Sequence, residues 1–211
     1  MRGAAFKVVI PARLNSTRLP GKVLLPIHGK PMVEHVWRAA CASQADEVLI
    51  ATDDPAVAEV ARGFGAEVVM TAAAHQSGTD RLAEVAALRG WADDTLLVNL
   101  QGDEPLMPPA LLDAAAALLA SDAAADIATF AHPLEDPAHF ANPNIVKVVR
   151  DVRGHALYFS RAPIPYWRDG NGQMPGAPPP LRHIGLYAYR VAALKRFSAL
   201  PPAPLEGCEA L

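Results

Sequence analysis

The chain has 211 residues, 51% of them hydrophobic and 19% charged, and its 19 basic and 22 acidic side chains leave a net charge of -3. A chain this long and this apolar buries a core of its own in one domain, or one with an annex, which excludes a disordered tail, a fibre or a disulfide-dependent scaffold. The slightly acidic balance, with no lysine-rich block, argues against nucleic acid as the main partner and leaves small anions as the ligands to expect.

In chain order, residues 6–12 form a β-branched run that reads as the first strand. Pro31 then opens a helix on which Met32, Val33, Val36, Trp37 and Ala40 share one face. Residues 47–52 read as a buried strand, and Asp53 and Asp54 before Pro55 read as caps of a helix through Val57, Val60 and Ala61 that Gly63 and Gly65 end. A third strand is expected at 68–71, a loop at 72–78, a helix at 79–88, and a strand at 96–100 that is aliphatic on both faces, as a sheet centre requires. This alternation predicts an α/β fold with a mixed, mostly parallel sheet flanked by helices.

The second half changes character. After a helix at 109–120, strands are expected at 127–131, 145–150, 156–161 and 183–189 with little helix among the last three, a smaller β-rich extension. Residues 163–180, rich in Pro and Gly, read as an exposed, mobile loop. Pro204, Leu205 and Glu206 look like a helix start with no stop signal before Leu211, which suggests an incomplete C-terminus. The expected organisation is one domain, with a nucleotide-binding part to residue 125 and a second part from 126. Cys41 and Cys208 are far apart and in no metal-ligand spacing, which fits a reduced compartment and argues against zinc. The apolar stretch 8–10 is too short for a signal peptide and the run 114–120 too short to span a bilayer, so a cytoplasmic setting is expected.

Chemistry concentrates in three loops. The segment 11–22, PARLNSTRLPGK, sets Arg13, Arg18 and Lys22 beside Ser16 and Gly21 at the carboxyl end of a strand, where open α/β sheets bind ligands; the residue types suit a polyphosphate cradle. It is not a P-loop, which needs Gly in place of Ser16 and Ser or Thr in place of Val23, and no dinucleotide fingerprint follows the first strand. Asp103, in the turn Gln101-Gly102-Asp103-Glu104-Pro105 after the central strand, can hold Mg²⁺ against phosphate oxygens, although Glu104 could serve equally, and a simple turn acid would read the same way. His75, Gln76, Ser77 and Gly78 form a polar loop at a strand end that could read a base edge or merely turn the chain. Arg161, His183 and Tyr187 come from neighbouring predicted strands, with His183 and Tyr187 of one parity; converging, they would suit a hydroxylated, anionic substrate.

Together with HQSGTDR (75–81), VNLQGDEP (98–105), NPNIVKVV (142–149), YFSRAPIP (158–165) and RHIGLYAY (182–189), the first loop resembles the 3-deoxy-manno-octulosonate cytidylyltransferases, in the right order along almost the whole chain. The resemblance implies a nucleotide-diphospho-sugar transferase-like fold, a homodimer and an Mg²⁺-dependent transfer of CMP from CTP to 3-deoxy-D-manno-octulosonate (Kdo), a step of lipopolysaccharide synthesis. It assigns Arg13, Ser16, Arg18 and Lys22 to the triphosphate, Gln76, Ser77 and Gly78 to the base and ribose of CTP, Asp103 to the metal, and Arg81, Gln101, Arg161, His183 and Tyr187 to Kdo; Arg13, Lys22 and Asp103 carry catalysis. The family pattern continues past the Pro-Leu-Glu segment into a helix with further Kdo contacts and a later metal-binding aspartate. The alternatives are another sugar nucleotidyltransferase, such as one activating a sialic acid, and a non-catalytic nucleotide-binding protein.

Overall fold

The computed structural model describes residues 4–14, 19–75, 77–201 and 203–210. The chain divides into two compact units, the first made of residues 1–128 with 186–200 and the second of 129–185 with 201–211.

In the first unit, β1 (Phe6–Pro11) leads to a single 3-10 turn at Lys22–Leu24, a two-residue hairpin of β2 (Pro26–Ile27) and β3 (Lys30–Pro31), and α1 (Met32–Cys41). There follow β4 (Glu47–Thr52), α2 (Pro55–Gly63), β5 (Glu67–Met70), α3 (Gly78–Leu88), β6 (Leu96–Asn99) and α4 (Pro109–Ser121). The sheet order is β5-β4-β1-β6, all parallel, and residues 187–190 add an antiparallel strand beside β6. Strand side chains alternate between faces, so Val9, Leu49, Ala51 and Leu97 meet Leu82 and Val85 of α3 with Tyr189 and Leu194. Val8, Ile10, Ile50 and Val98, each 0% exposed, are left for the opposite face, where α1 packs on β1 and β4 and α4 on β6.

Burial on both faces explains why β1, β4 and β6 are legible as aliphatic runs. It also places the carboxyl ends of these parallel strands, and the loops that leave them, side by side.

The second unit begins within β7 (Ile127–Pro133), continues through α5 (Pro137–Ala141), β8 (Lys147–Arg150) and β9 (Ala156–Ser160), and includes the first half of β10 (Leu181–Arg190). β8 pairs antiparallel with both β9 and β10, and β7 pairs with β10. Residues 163–180 hold neither helix nor strand. Lys147 is 0% exposed, yet its ammonium donates to the carbonyls of Asn142 (3.0 Å), Ile145 (2.7 Å) and Arg161 (2.5 Å), so all three of its N–H bonds have acceptors.

The predicted elements stand to within a residue or two, with three differences. Two-residue β2 and β3 and five-residue α5 are too short for periodicity to show. Helix α6 (Val191–Ser198) follows β10 without a break, so its apolar positions Val191, Ala193 and Leu194 were not separable from the strand before them. The expected division at 125 also differs: residues 186–200 return to the first unit, because the end of β10 pairs with β6 and α6 packs on α3. α7 (Pro204–Glu209) forms where Pro204 announces a helix start. Cys41 and Cys208 are both free and exposed. Among the described residues no helix is long and apolar enough to cross a membrane.

The side chain at the centre of the first unit's core gives a direct check. Leu97→Ala should lower the unfolding free energy by about 2–5 kcal/mol in urea titration, the usual cost of a large-to-small change at a fully packed site. A loss under about 1 kcal/mol would mean that the site collapses around the smaller side chain.

Candidate active site

Pro11, the last residue of β1, is where three loops of the first unit meet. A Cβ built on Gly102 would lie 2.8 Å from the Pro11 carbonyl oxygen and 3.5 Å from Ala12 Cα, so only glycine lets the turn after β6 lie on this strand end. A Cβ on Gly78, the first residue of α3, would stand 3.5 Å from Pro11 Cγ and 3.9 Å from Gln101 Nε2. The amide of Leu100 donates to the Val9 carbonyl at 3.2 Å and that of Glu104 to Gln101 at 3.1 Å, which ends β6 in a turn carrying Asp103 outward.

The loop after β1 is closed by the Gly21 amide, which donates to the Leu14 carbonyl at 2.9 Å, with Gly21 in the left-handed region at φ 69°. Val23 is buried beneath the 3-10 turn and fixes its orientation. Lys22 therefore starts from a rigid base, and its Nζ lies 2.5 Å from Asp103 Oδ2, with the two side chains 31% and 41% exposed. A cation and a carboxylate from loops 81 residues apart thus face each other at the strand ends with solvent access.

Each expected residue can now be located. Arg13, Lys22, Gly78, Gln101 and Asp103 all belong to the loops around the end of β1. Ser77 caps α3: its Oγ accepts from the Asp80 amide at 3.0 Å, while Asp80 Oδ2 accepts from the Ser77 amide at 3.1 Å. Ser16, Arg18 and Gln76 lie outside the described residues. Arg81 is 1% exposed; its Nη2 lies 2.9 Å from Asp53 Oδ1 and its Nη1 donates to the Thr71 hydroxyl. Burial pulls the Arg81 pKa below the usual arginine range, Asp53 opposes that pull, and the nearby Arg13 guanidinium adds to it. Asp53 is consequently an ion-pair partner and not a cap, a correction to the reading of the Asp53-Asp54 doublet. Asp54 alone caps α2, accepting from the amides of Ala56 at 2.8 Å and Val57 at 3.3 Å. The signal available in the sequence was that one helix needs one cap, which leaves the other carboxylate to be explained.

Tyr187 also belongs to the first unit, stacked on Tyr189 with ring centroids 5.8 Å apart. Burial pushes its phenol up to about 12, so it stays protonated and able to donate.

In the second unit, Arg161 follows β9 and is held by backbone oxygens: Nη1 donates to Pro143 at 2.8 Å, Nη2 to Ala210 at 2.8 Å and Nε to Glu209. Its own amide donates to the Glu209 carboxylate at 2.5 Å, as do the hydroxyls of Tyr158 (2.5 Å) and Ser160 (2.9 Å). These donors, Tyr158 first, keep Glu209 below the usual carboxylate range. His183 is partly buried, which lowers its pKa, and Phe159 meets it edge-on at 4.9 Å. The Thr129 hydroxyl donates its one proton to the Ile184 carbonyl at 3.0 Å and can therefore only accept from His183 Nε2, also at 3.0 Å, which places a proton on Nε2. Thr71, Glu84, Lys147 and Glu209 were not found from sequence: Thr71 and Glu84 bond across the loop before α3, Lys147 bonds to backbone carbonyls, and Glu209 meets residues at the end of β9.

Among the described residues no three His, Cys, Asp or Glu side chains gather as a ready ligand set. Asp103 nevertheless fits magnesium, which takes one or two carboxylates and completes its shell with substrate phosphate and water. The carboxylate is exposed, and the Lys22 ammonium against it shows that this spot accommodates a positive charge.

The chain matches the cytidylyltransferase family over residues 7–211. It is 53% identical over 212 residues to the 3-deoxy-manno-octulosonate cytidylyltransferase of Pseudomonas syringae pv. syringae (strain B728a), covering 99% of this chain and 84% of that one. It is 54% identical to the enzyme of the same name from Cellvibrio japonicus (strain Ueda107), covering 98% and 83%. A solved CMP:2-keto-3-deoxy-manno-octonic acid synthetase complexed with CTP superposes with TM-score 0.89 at 43% identity, covering 99% of this chain and 83% of that one. A cytidylyltransferase from Leptospira borgpetersenii serovar Hardjo-bovis (strain JB197), 18% identical with TM-score 0.59 over 96% of this chain and 68% of that one, shares the fold. On this sequence and structural likeness, the chain belongs to the 3-deoxy-manno-octulosonate cytidylyltransferase family.

Proposed function

We propose that the chain transfers CMP from CTP to Kdo, releasing pyrophosphate, in a magnesium-dependent reaction. The observation that carries the reading is the Lys22–Asp103 pair, 2.5 Å apart and open to solvent at the carboxyl ends of β1 and β6 in a chain of this family. A lysine facing an aspartate at a strand end is a divided site, cation for phosphate and anion for metal, whose halves neutralise each other while no substrate separates them.

Arg13 and Lys22 offset the triphosphate charge, and Lys22 exchanges the Asp103 carboxylate for phosphate oxygen as CTP enters. That exchange leaves Asp103 free to hold magnesium, which when bound supplies further charge neutralisation at the phosphate oxygens. The anomeric hydroxyl of Kdo attacks the α-phosphorus in line, one P–O bond forms, the bond to the β-phosphate oxygen breaks, and the hydroxyl proton is lost. Such a transfer is driven by positioning and electrostatics and needs no covalent intermediate on the protein. Ser77 and Gly78 are assigned to the nucleoside and Arg81, Gln101, Arg161, His183 and Tyr187 to the acid sugar, as the family resemblance implies. The resemblance further supports a homodimer, a cytoplasmic setting and a role in lipopolysaccharide synthesis.

Pyrophosphate release from CTP should require Kdo and fail with N-acetylneuraminate; release with N-acetylneuraminate alone would overturn the choice of sugar, and CTP binding without turnover would overturn the enzyme reading. Asp103→Asn should lower kcat on the order of a hundredfold with the fold intact by circular dichroism, and near-normal turnover in magnesium would remove Asp103 from the metal site. Lys22→Ala should raise the KM for CTP about tenfold or more, as loss of one charge-assisted contact implies, with a smaller change for Kdo. Gly102→Ala should cripple turnover while leaving the core packed, because its Cβ would meet the backbone oxygen of Pro11 at 2.8 Å and displace the Asp103 turn. Wild-type rates in that variant would show that the strand end yields.

A further inference from the structure

The loop between β5 and α3 leads into Ser77 and Gly78, and the structure holds it from the helix side. Glu84 stands on α3 and turns its carboxylate back over the loop. Its Oε2 accepts from the Ala72 amide at 2.8 Å and lies 2.5 Å from His75 Nε2, which must be the donor to an ionised carboxylate. Desolvation pushes the Glu84 carboxyl up, but the Ala72 amide and His75 outweigh it and leave it below its ordinary range, so the acceptor is ionised.

Arg81, three residues earlier on α3, grips the residue just before Ala72. Its Nη1 donates to the Thr71 hydroxyl while Nη2 pairs with Asp53 at 2.9 Å, and only 1% of the residue is exposed. Residues i and i+3 share a helix face, so Arg81 and Glu84 form one bracket around the beginning of the loop. At the loop's other end, the Ser77–Asp80 capping box fixes the start of α3, and Gly78 lies against Pro11 and Gln101. An isolated surface carboxylate has no reason to collect a backbone amide and an imidazole at once; this one sets the path of the chain into the nucleoside side of the site.

We propose that Glu84 is a positioning residue for the nucleotide, holding Ala72 and His75 so that the start of α3 at Ser77 and Gly78 keeps a fixed position with Gly78 against Pro11, with Arg81 as the buried anchor of the same bracket. The inference rests on the assignment of Ser77 and Gly78 to CTP under the proposed function. Glu84 touches no reacting atom, so its loss acts on the affinity for one substrate and not on the chemical step.

The test compares Glu84→Ala, Glu84→Gln and His75→Ala in the full chain. Hydrogen exchange of the free protein should show the Ala72 amide of Glu84→Ala exchanging about tenfold faster, as expected when a bond to a charged acceptor is lost. In steady-state assays the KM for CTP should rise about tenfold in Glu84→Ala, with kcat and the KM for Kdo within about twofold. Glu84→Gln, which keeps an acceptor for Ala72, should recover most of the loss, and His75→Ala should show a smaller rise confined to CTP. An unchanged KM for CTP in Glu84→Ala, or equal rises for both substrates, would overturn the inference, as would unaltered exchange at Ala72. If Glu84→Ala fails to fold, His75→Ala and Glu84→Gln decide by the same split. Wild-type protein without Kdo-dependent turnover would bring down the proposed function and this inference together, whereas normal wild-type turnover with an indifferent Glu84 would defeat the inference alone.

Discussion

Backbone crowding at the carboxyl end of β1 is the constraint on which the site depends. β1 is paired in parallel on both sides, so its end cannot move without breaking two ladders, with β4 and with β6. The turn after β6 closes on this fixed point to within a distance that leaves no room for a Cβ, and the start of α3 closes on it from another direction. Loops are the mobile parts of most folds. Here three of them are referenced to one proline at the edge of a rigid strand, and that is how side chains distant in sequence come to face each other reproducibly. The chemistry asked of the site is mainly positioning, for which such a reference point matters more than any single reactive group.

The charges around this point fall into two populations. Lys22 and Asp103 are partly exposed, at the tips of their loops, and are joined to each other by a contact that substrate can replace. Arg81 is inside, where a charge is tolerated only with a partner, and its pairing with the partly exposed Asp53 is part of the architecture. An exposed pair contributes little to stability because water competes with it, and for that reason it is inexpensive to break during a reaction cycle. A buried pair resists separation: removing one member strands the other in a low-dielectric interior. Burial therefore separates the cations that can meet a ligand from those that hold the scaffold.

This division also explains what the sequence could and could not disclose. β1, β4 and β6 were legible because burial on both faces imposes continuous aliphatic runs, and the turn of Asp103 was legible because Gly102 and Pro105 punctuate it. Lys22 and Asp103 were legible as site candidates because exposed charges at strand ends have few structural explanations. Asp53 was misread because its local context, a carboxylate before Asp54-Pro55, satisfies a capping rule that its neighbour in fact fulfils. Glu84, Lys147 and Glu209 left no local trace at all. Glu84 looks like any polar position of an amphipathic helix, and Lys147 opens β8, where a charge would ordinarily mark the solvent face. Glu209 meets Tyr158, Ser160 and Arg161 from another segment, while Glu84 and Lys147 bond to backbone groups whose approach only the fold sets.

The second unit carries the same logic further. Arg161 is bound at every level: its amide by the Glu209 carboxylate, its carbonyl by the Lys147 ammonium, and its guanidinium by the carbonyls of Pro143, Glu209 and Ala210. Carbonyl dipoles orient a guanidinium without cancelling its charge, whereas a carboxylate would do both. Glu209 directs its carboxylate oxygens to the Arg161 amide and to the hydroxyls of Tyr158 and Ser160, while its backbone carbonyl receives the guanidinium Nε–H. Arg161 is thus fixed in place through its amide, its carbonyl and its guanidinium, with the Glu209 carboxylate close enough to interact with its charge. The buried lysine that holds its carbonyl depends in turn on the loop oxygens of Asn142 and Ile145, so the orientation of Arg161 is set by residues that never need to touch a ligand.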